Sequence, residues 1–88
     1  MIHNIKIKEC YANNIVEGKK KFEVRLNDRD YQVGDYLEYT VIDENGNFQT
    51  TAPHELDNKK YKIIYIHAGL GMREDYVVLG IEPYKREE

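Results

Sequence analysis

The sequence predicts an α+β domain: a small pseudo-β-barrel of five to six mostly antiparallel strands with one short N-terminal helix. Three observations predict it. Most apolar residues recur at every second position, the mark of strands with one buried face. One early segment breaks that rhythm with helical spacing and stops at a glycine. The 88 residues, 41% of them apolar, are enough for one core, so residues 1–88 form a single domain.

Each element follows from its own pattern. Ile5 and Ile7 alternate with Lys6 and Lys8, so residues 4–8 read as a short strand. Over residues 9–17, Cys10, Tyr11, Asn14 and Ile15 share one side at helical spacing, and Gly18 stands where a C-cap belongs. Cys10 is therefore expected in the core. Residues 19–26 return to period two, with Phe22, Val24 and Leu26 on one face. Lys21, Glu23 and Arg25 share the opposite face, which reads as wet or functional.

Gly34-Asp35 marks a turn into residues 36–42, where Leu37, Tyr39 and Val41 alternate with polar neighbours. Asn45-Gly46 is a strong hairpin signal, with residues 48–51 as the return strand. Residues 60–67 follow as a strand, with Tyr61, Ile63, Tyr65 and His67 opposite Ile64 and Ile66. A loop at 69–75 precedes the last strand, 76–82. Residues 83–88 read as a frayed, charged tail.

Composition narrows the function. An apolar fraction of 41% with a net charge of −3 excludes a disordered chain. The single cysteine forms no internal disulfide, and the opening residues lack the apolar run of a signal peptide. The longest apolar runs, at 63–66 and 76–79, are far too short to span a bilayer. A soluble, cytoplasmic protein without a membrane partner is expected; the sequence leaves its oligomeric state open. His3, His54 and His67 are scattered and have one cysteine for company, so no metal and no cofactor are expected.

Charge is uneven. Residues 1–29 carry a net +3 and residues 30–88 a net −6. A protein that coats nucleic-acid phosphates usually has a wide basic excess, so any such contact here is local.

The chemistry concentrates between Gly18 and Asp35. Glu23 and Arg25 point the same way on a strand, about 6.5–7 Å apart. Lys20 sits where the helix cap enters that strand and can turn toward the same opening. The three offer a donor, an acceptor and a planar donor fork, able to read a base edge, hold a phosphate or position a water. An ordinary surface pair would instead contribute only about 0–1 kcal/mol.

Gly18, Lys20, Glu23 and Arg25 fit the pattern GxKxxExR, followed by Val33-Gly34-Asp35. With these residues the chain resembles the ASCH domain (activating signal cointegrator homology), a branch of the PUA-like superfamily. Residues 18–35, the opening His3 and the strand at 76–79 are similar to a bacterial and phage subgroup of that superfamily. The resemblance implies a PUA-type pseudo-barrel with a cleft beside the first helix, binding RNA or a nucleotide through Lys20, Glu23 and Arg25. It implies Gly18 as the helix-to-strand corner and Gly34-Asp35 as the turn into the next strand.

Some small bacterial members resemble enzymes that deacylate N4-acetylcytidine with a lysine, a threonine and a distal glutamate. The lysine matches at Lys20, but Glu23 stands at the threonine position, and loop 69–75 replaces the segment that would carry the glutamate. Glu74 lies in that loop with no assigned role.

The expected function is therefore an RNA- or nucleotide-binding module. Lys20 and Arg25 supply positive charge, and Glu23 accepts from an exocyclic amine. Lys21 and Arg29 extend the rim, Tyr31 offers a stacking face, and the Gly69-Leu70-Gly71 segment forms a lip over the cleft. A small amidohydrolase acting on an N-acylated cytidine through Lys20 and Glu23 is the alternative. A protein-interaction module, with a protein partner on a strand edge or a tyrosine-rich surface, is the third reading.

Overall fold

The computed structural model describes residues 1–48 and 53–84. Its elements run β1 (Ile2–Lys8), α1 (Glu9–Val16), β2 (Phe22–Leu26), β3 (Tyr36–Ile42), β4 (Lys60–Ala68) and β5 (Tyr76–Pro83). The five strands form one sheet in the order β1-β3-β4-β5-β2. Only β1 and β3 run parallel; the other neighbours are antiparallel. The sheet curls until its two edge strands approach each other. Arg25 Nη2 donates to the Lys6 carbonyl at 2.8 Å, and Arg29 Nη1 donates to the Asn4 carbonyl. The result is a small α+β pseudo-barrel whose β1–β2 seam is spanned by guanidinium groups.

The helix ends as its glycine predicts. Gly18 N–H bonds the Ile15 carbonyl and Lys19 N–H the Asn14 carbonyl, both at 3.0 Å, which is the Schellman arrangement. Gly18 takes φ +78°, where a Cβ would be strained. The helix buries Ala12 and Ile15. Cys10 is exposed, so its expected place in the core is wrong by about a quarter turn of helix phase.

The core gathers Ile5 and Ile7 of β1, Leu37, Tyr39 and Val41 of β3, Ile63 of β4, and Val77, Leu79 and Ile81 of β5. Leu56 closes one side from the turn before β4. Asp57 holds that turn by accepting from the N–H groups of Val41 and His54. Leu56 N–H donates to His54 Nδ1, so Nε2 carries the proton and donates to Asn13 Oδ1 at 2.6 Å. The turn is thereby tied to the helix.

Two strands differ from expectation. In β2 the charged row faces inward: Glu23 is buried, while Phe22, Val24 and Leu26 are 45%, 49% and 46% exposed. Alternation reveals two faces but not which is inside, and here three donors make the carboxylate's burial tolerable. In β4 a bulge between Ile63 and Tyr65 shifts the phase, sending Ile63 inward and Tyr65 outward. Gly80 lies opposite, where a Cβ would come within 3.3 Å of the Tyr65 Cβ.

The Asn45-Gly46 turn forms, with Asp43 Oδ1 accepting from the N–H groups of Asn45 and Asn47. Its return arm is a single bridge, Ile42 to Phe48; residues 49–51 of the expected return strand lie outside the described residues. So do residues 85–88 of the expected tail, whereas Pro83 ends β5. Among the described residues no helix is long and apolar enough to cross a membrane.

Candidate functional site

The site starts from one buried acid. Glu23 sits mid-β2 with its side chain 4% exposed, and it is met from three directions. Lys20 Nζ donates to Oε1 at 3.0 Å, Tyr39 Oη donates to the same oxygen at 3.1 Å, and Arg25 Nε donates to Oε2 at 3.0 Å. Burial first, then the Glu23 charge and this hydrogen bond, push the Tyr39 phenol far above its ordinary range. Tyr39 therefore stays a neutral donor.

The Schellman corner makes this convergence possible. It turns the chain at Gly18 so that Lys20 folds back, donating also to the Phe22 carbonyl at 2.6 Å. Lys20 and Arg25 keep 17% and 25% of their side chains exposed, so both cations reach the surface while their acid does not. Among the described residues no buried side-chain nitrogen or oxygen lacks a partner, so the cluster is satisfied without a ligand.

Above the cluster lies a cleft of about 610 Å³ along the β1–β2 seam. Lys6, Ile7 and Lys8 line it from β1, Tyr11 from α1, and Ile42 from β3. Lys20, Phe22, Val24 and Arg25 line the other side, with Glu23 between them. The Lys20 ammonium stands 5.0 Å from the Phe22 ring centroid and 6.0 Å from that of Tyr11.

A family model matches residues 2–81, from the first residue of β1 into β5. The chain belongs to the family described as Domain of unknown function (DUF3850). No curated protein matches it. The matched span of this DUF3850 domain includes every residue that lines the cleft.

Of the expected site residues, Lys20, Glu23 and Arg25 come together. Lys21 is exposed outside the cleft, its carbonyl accepting from Ile81 N–H. Arg29 clasps β1 at Asn4 and does not line the cleft. Tyr31 is a correction: it is 6% exposed and packs edge-on against His3 at 4.8 Å between ring centroids, so it offers no stacking face. Burial holds its phenol above the ordinary value, with Arg29 and Arg25 opposing.

The 69–75 loop is a second correction. It is held by His67 Nε2 donating to the Leu70 carbonyl and meets β2 through Asn27 N–H and the Asp75 carbonyl, at the opposite end from Phe22. It is no lip for this cleft, and neither it nor Glu74 lines it.

Sequence reasoning left Lys6, Lys8, Tyr11, Phe22 and Tyr39 out of the expected site residues. The lysines alternate visibly with Ile5 and Ile7, but only the curl brings β1 beside β2. It also missed the purpose of His3 and Asp35. His3 Nε2 donates to Asp35 Oδ2 at 2.8 Å, and the N-terminal amine lies 3.3 Å from Oδ1. The His3 hydrogen bond, helped by Gln32 N–H, holds the Asp35 carboxyl below its ordinary range. The remaining histidines stand apart, and among the described residues no three His, Cys, Asp or Glu are placed to hold a metal.

Proposed function

We propose that the cleft binds RNA or a nucleotide-like ligand, in the cytoplasm, and that the DUF3850 domain is a relative of the ASCH modules it resembles. One observation carries this reading. The chain is net −3, yet Lys6, Lys8, Lys20 and Arg25 line the cleft against Glu23 alone. Glu23 is buried and already engaged, so the outward field of the cleft is positive. Phosphate and base oxygens suit such donors, and the Tyr11 and Phe22 rings offer faces to a base. Glu23 acts in this reading as a positioning residue that fixes Lys20 and Arg25, rather than as an acceptor for the base.

Hydrolysis is the weaker reading. Lys20 donates both of its hydrogen bonds, to Glu23 and to the Phe22 carbonyl, and Glu23 stands where a threonine is needed. A protein partner finds its support in the exposed apolar row of Phe22, Val24 and Leu26, the first two of which also line the cleft.

An amide NMR titration with a short hairpin RNA tests the proposal. Shifts are expected at Lys6, Lys20 and residues 22–25, and are lost in a folded Lys20→Ala, Arg25→Ala variant. Shifts centred elsewhere, or none, would overturn it. Release of cytidine from N4-acetylcytidine in a parallel tube would replace binding by catalysis.

A further inference from the structure

We infer that the occupant of this cleft is a nucleic acid in single-stranded form, laid across the β1–β2 seam with successive bases on Phe48, Phe22 and Tyr11. This rests on the reading just given and narrows it. Three rings are left half in water: Tyr11 is 51% exposed, Phe22 45% and Phe48 58%. They come from three different elements, the helix, β2 and the β3 turn, and the core closes without any of them.

Each ring is paired with an ammonium that belongs to the cleft. Lys20 serves Tyr11 and Phe22, and Lys6 Nζ lies 5.1 Å from the Phe48 ring centroid. Phe48 also bridges to Ile42, a cleft residue, so it prolongs the same surface past β3. Each of the three stacking faces thus has a cleft ammonium 5.0 to 6.0 Å from its centroid, as each base along a strand has a phosphate beside it.

A mononucleotide has one base and occupies one such face. Rings on both sides of the seam suit a ligand carrying several unpaired bases. A duplex hides those faces, and the few cations here suit two or three phosphates rather than a long backbone.

The test is binding of single-stranded RNA and DNA of about one, two, four and eight nucleotides, beside a matching duplex, followed by fluorescence anisotropy on the intact chain. Affinity is expected to climb to about four nucleotides and then level, with the duplex at least about tenfold weaker. Binding should fall with salt at a log–log slope of about −2, near −0.7 for each phosphate held. Phe48→Ala, at an exposed position, should weaken the tetranucleotide about 5- to 100-fold and leave the mononucleotide unchanged. A mononucleotide bound as tightly as a tetranucleotide, a preferred duplex, or an unaffected Phe48→Ala would overturn the single-strand inference while leaving the cleft reading intact. Absence of binding to every one of these ligands would overturn both.

Discussion

The two walls of the barrel are built on different physics. Across β3, β4 and β5 the strands pair through backbone ladders, and Leu37, Tyr39, Ile63 and Leu79 fill the inside with essentially no exposed surface. Across the β1–β2 seam, side chains replace that ladder. Arg25 and Arg29 reach to β1 carbonyls, and a carboxylate with three donors stands where the other wall has leucines. The first wall maximises burial. The second gives up backbone pairing and gains a charged opening. A domain this small has a stability of only a few kcal/mol, and a polar seam forgoes apolar burial that would add to it.

The comparison can be broken by mutation. Leu79→Ala should be the costliest change, about 3–5 kcal/mol by denaturant unfolding, because it empties fully buried volume on the apolar wall. Glu23→Ala should cost about 3 kcal/mol, leaving two cations and a phenol without their acceptor. The partial exposure of Lys20 and Arg25 keeps that figure at the low end, since water can solvate them. Should Glu23→Ala unfold at the wild-type midpoint, the seam would owe nothing to its ion cluster.

A smaller effect separates the walls by pH. Burial raises the phenols of Tyr31, Tyr39 and Tyr61 above the ordinary 10.0. The folded state then holds protons that the unfolded chain releases. Stability is full below pH 10.0 and declines as pH rises toward the folded values. Asp35 works in the opposite sense. Its lowered carboxyl contributes stability above the ordinary 3.8, lost as pH falls through the folded value. Unfolding midpoints across both limbs test this, and Tyr39→Phe should flatten the alkaline limb while Asp35→Asn flattens the acid one.

Much of the apolar wall was legible in the sequence. Leu37, Tyr39 and Val41 alternate with polar residues and are buried as that alternation requires. The helix stops at Gly18 because only a residue tolerant of positive φ completes its cap. The seam was legible only in composition. Lys20, Glu23 and Arg25 were visible as a set, but their inward orientation depends on Tyr39, a partner 16 residues from Glu23. A residue's alternation partner is written locally; its hydrogen-bond partner across a barrel is not. The β4 slip has the same character, since its clearest mark is Gly80 on the neighbouring strand.

The strand order carries one more consequence, in the time at which the molecule is made. β1 and β2 are joined by a single short helix, yet they occupy opposite ends of the sheet order. Among the described residues β2 pairs only with β5, which follows the other four strands in the chain. The ladder that fixes Glu23 therefore cannot exist on the ribosome until β5 has emerged. Until then the charged row and the apolar row of β2 are equally exposed to water. β5 completes the sheet and, in the same event, holds β2 with its charged row toward Tyr39.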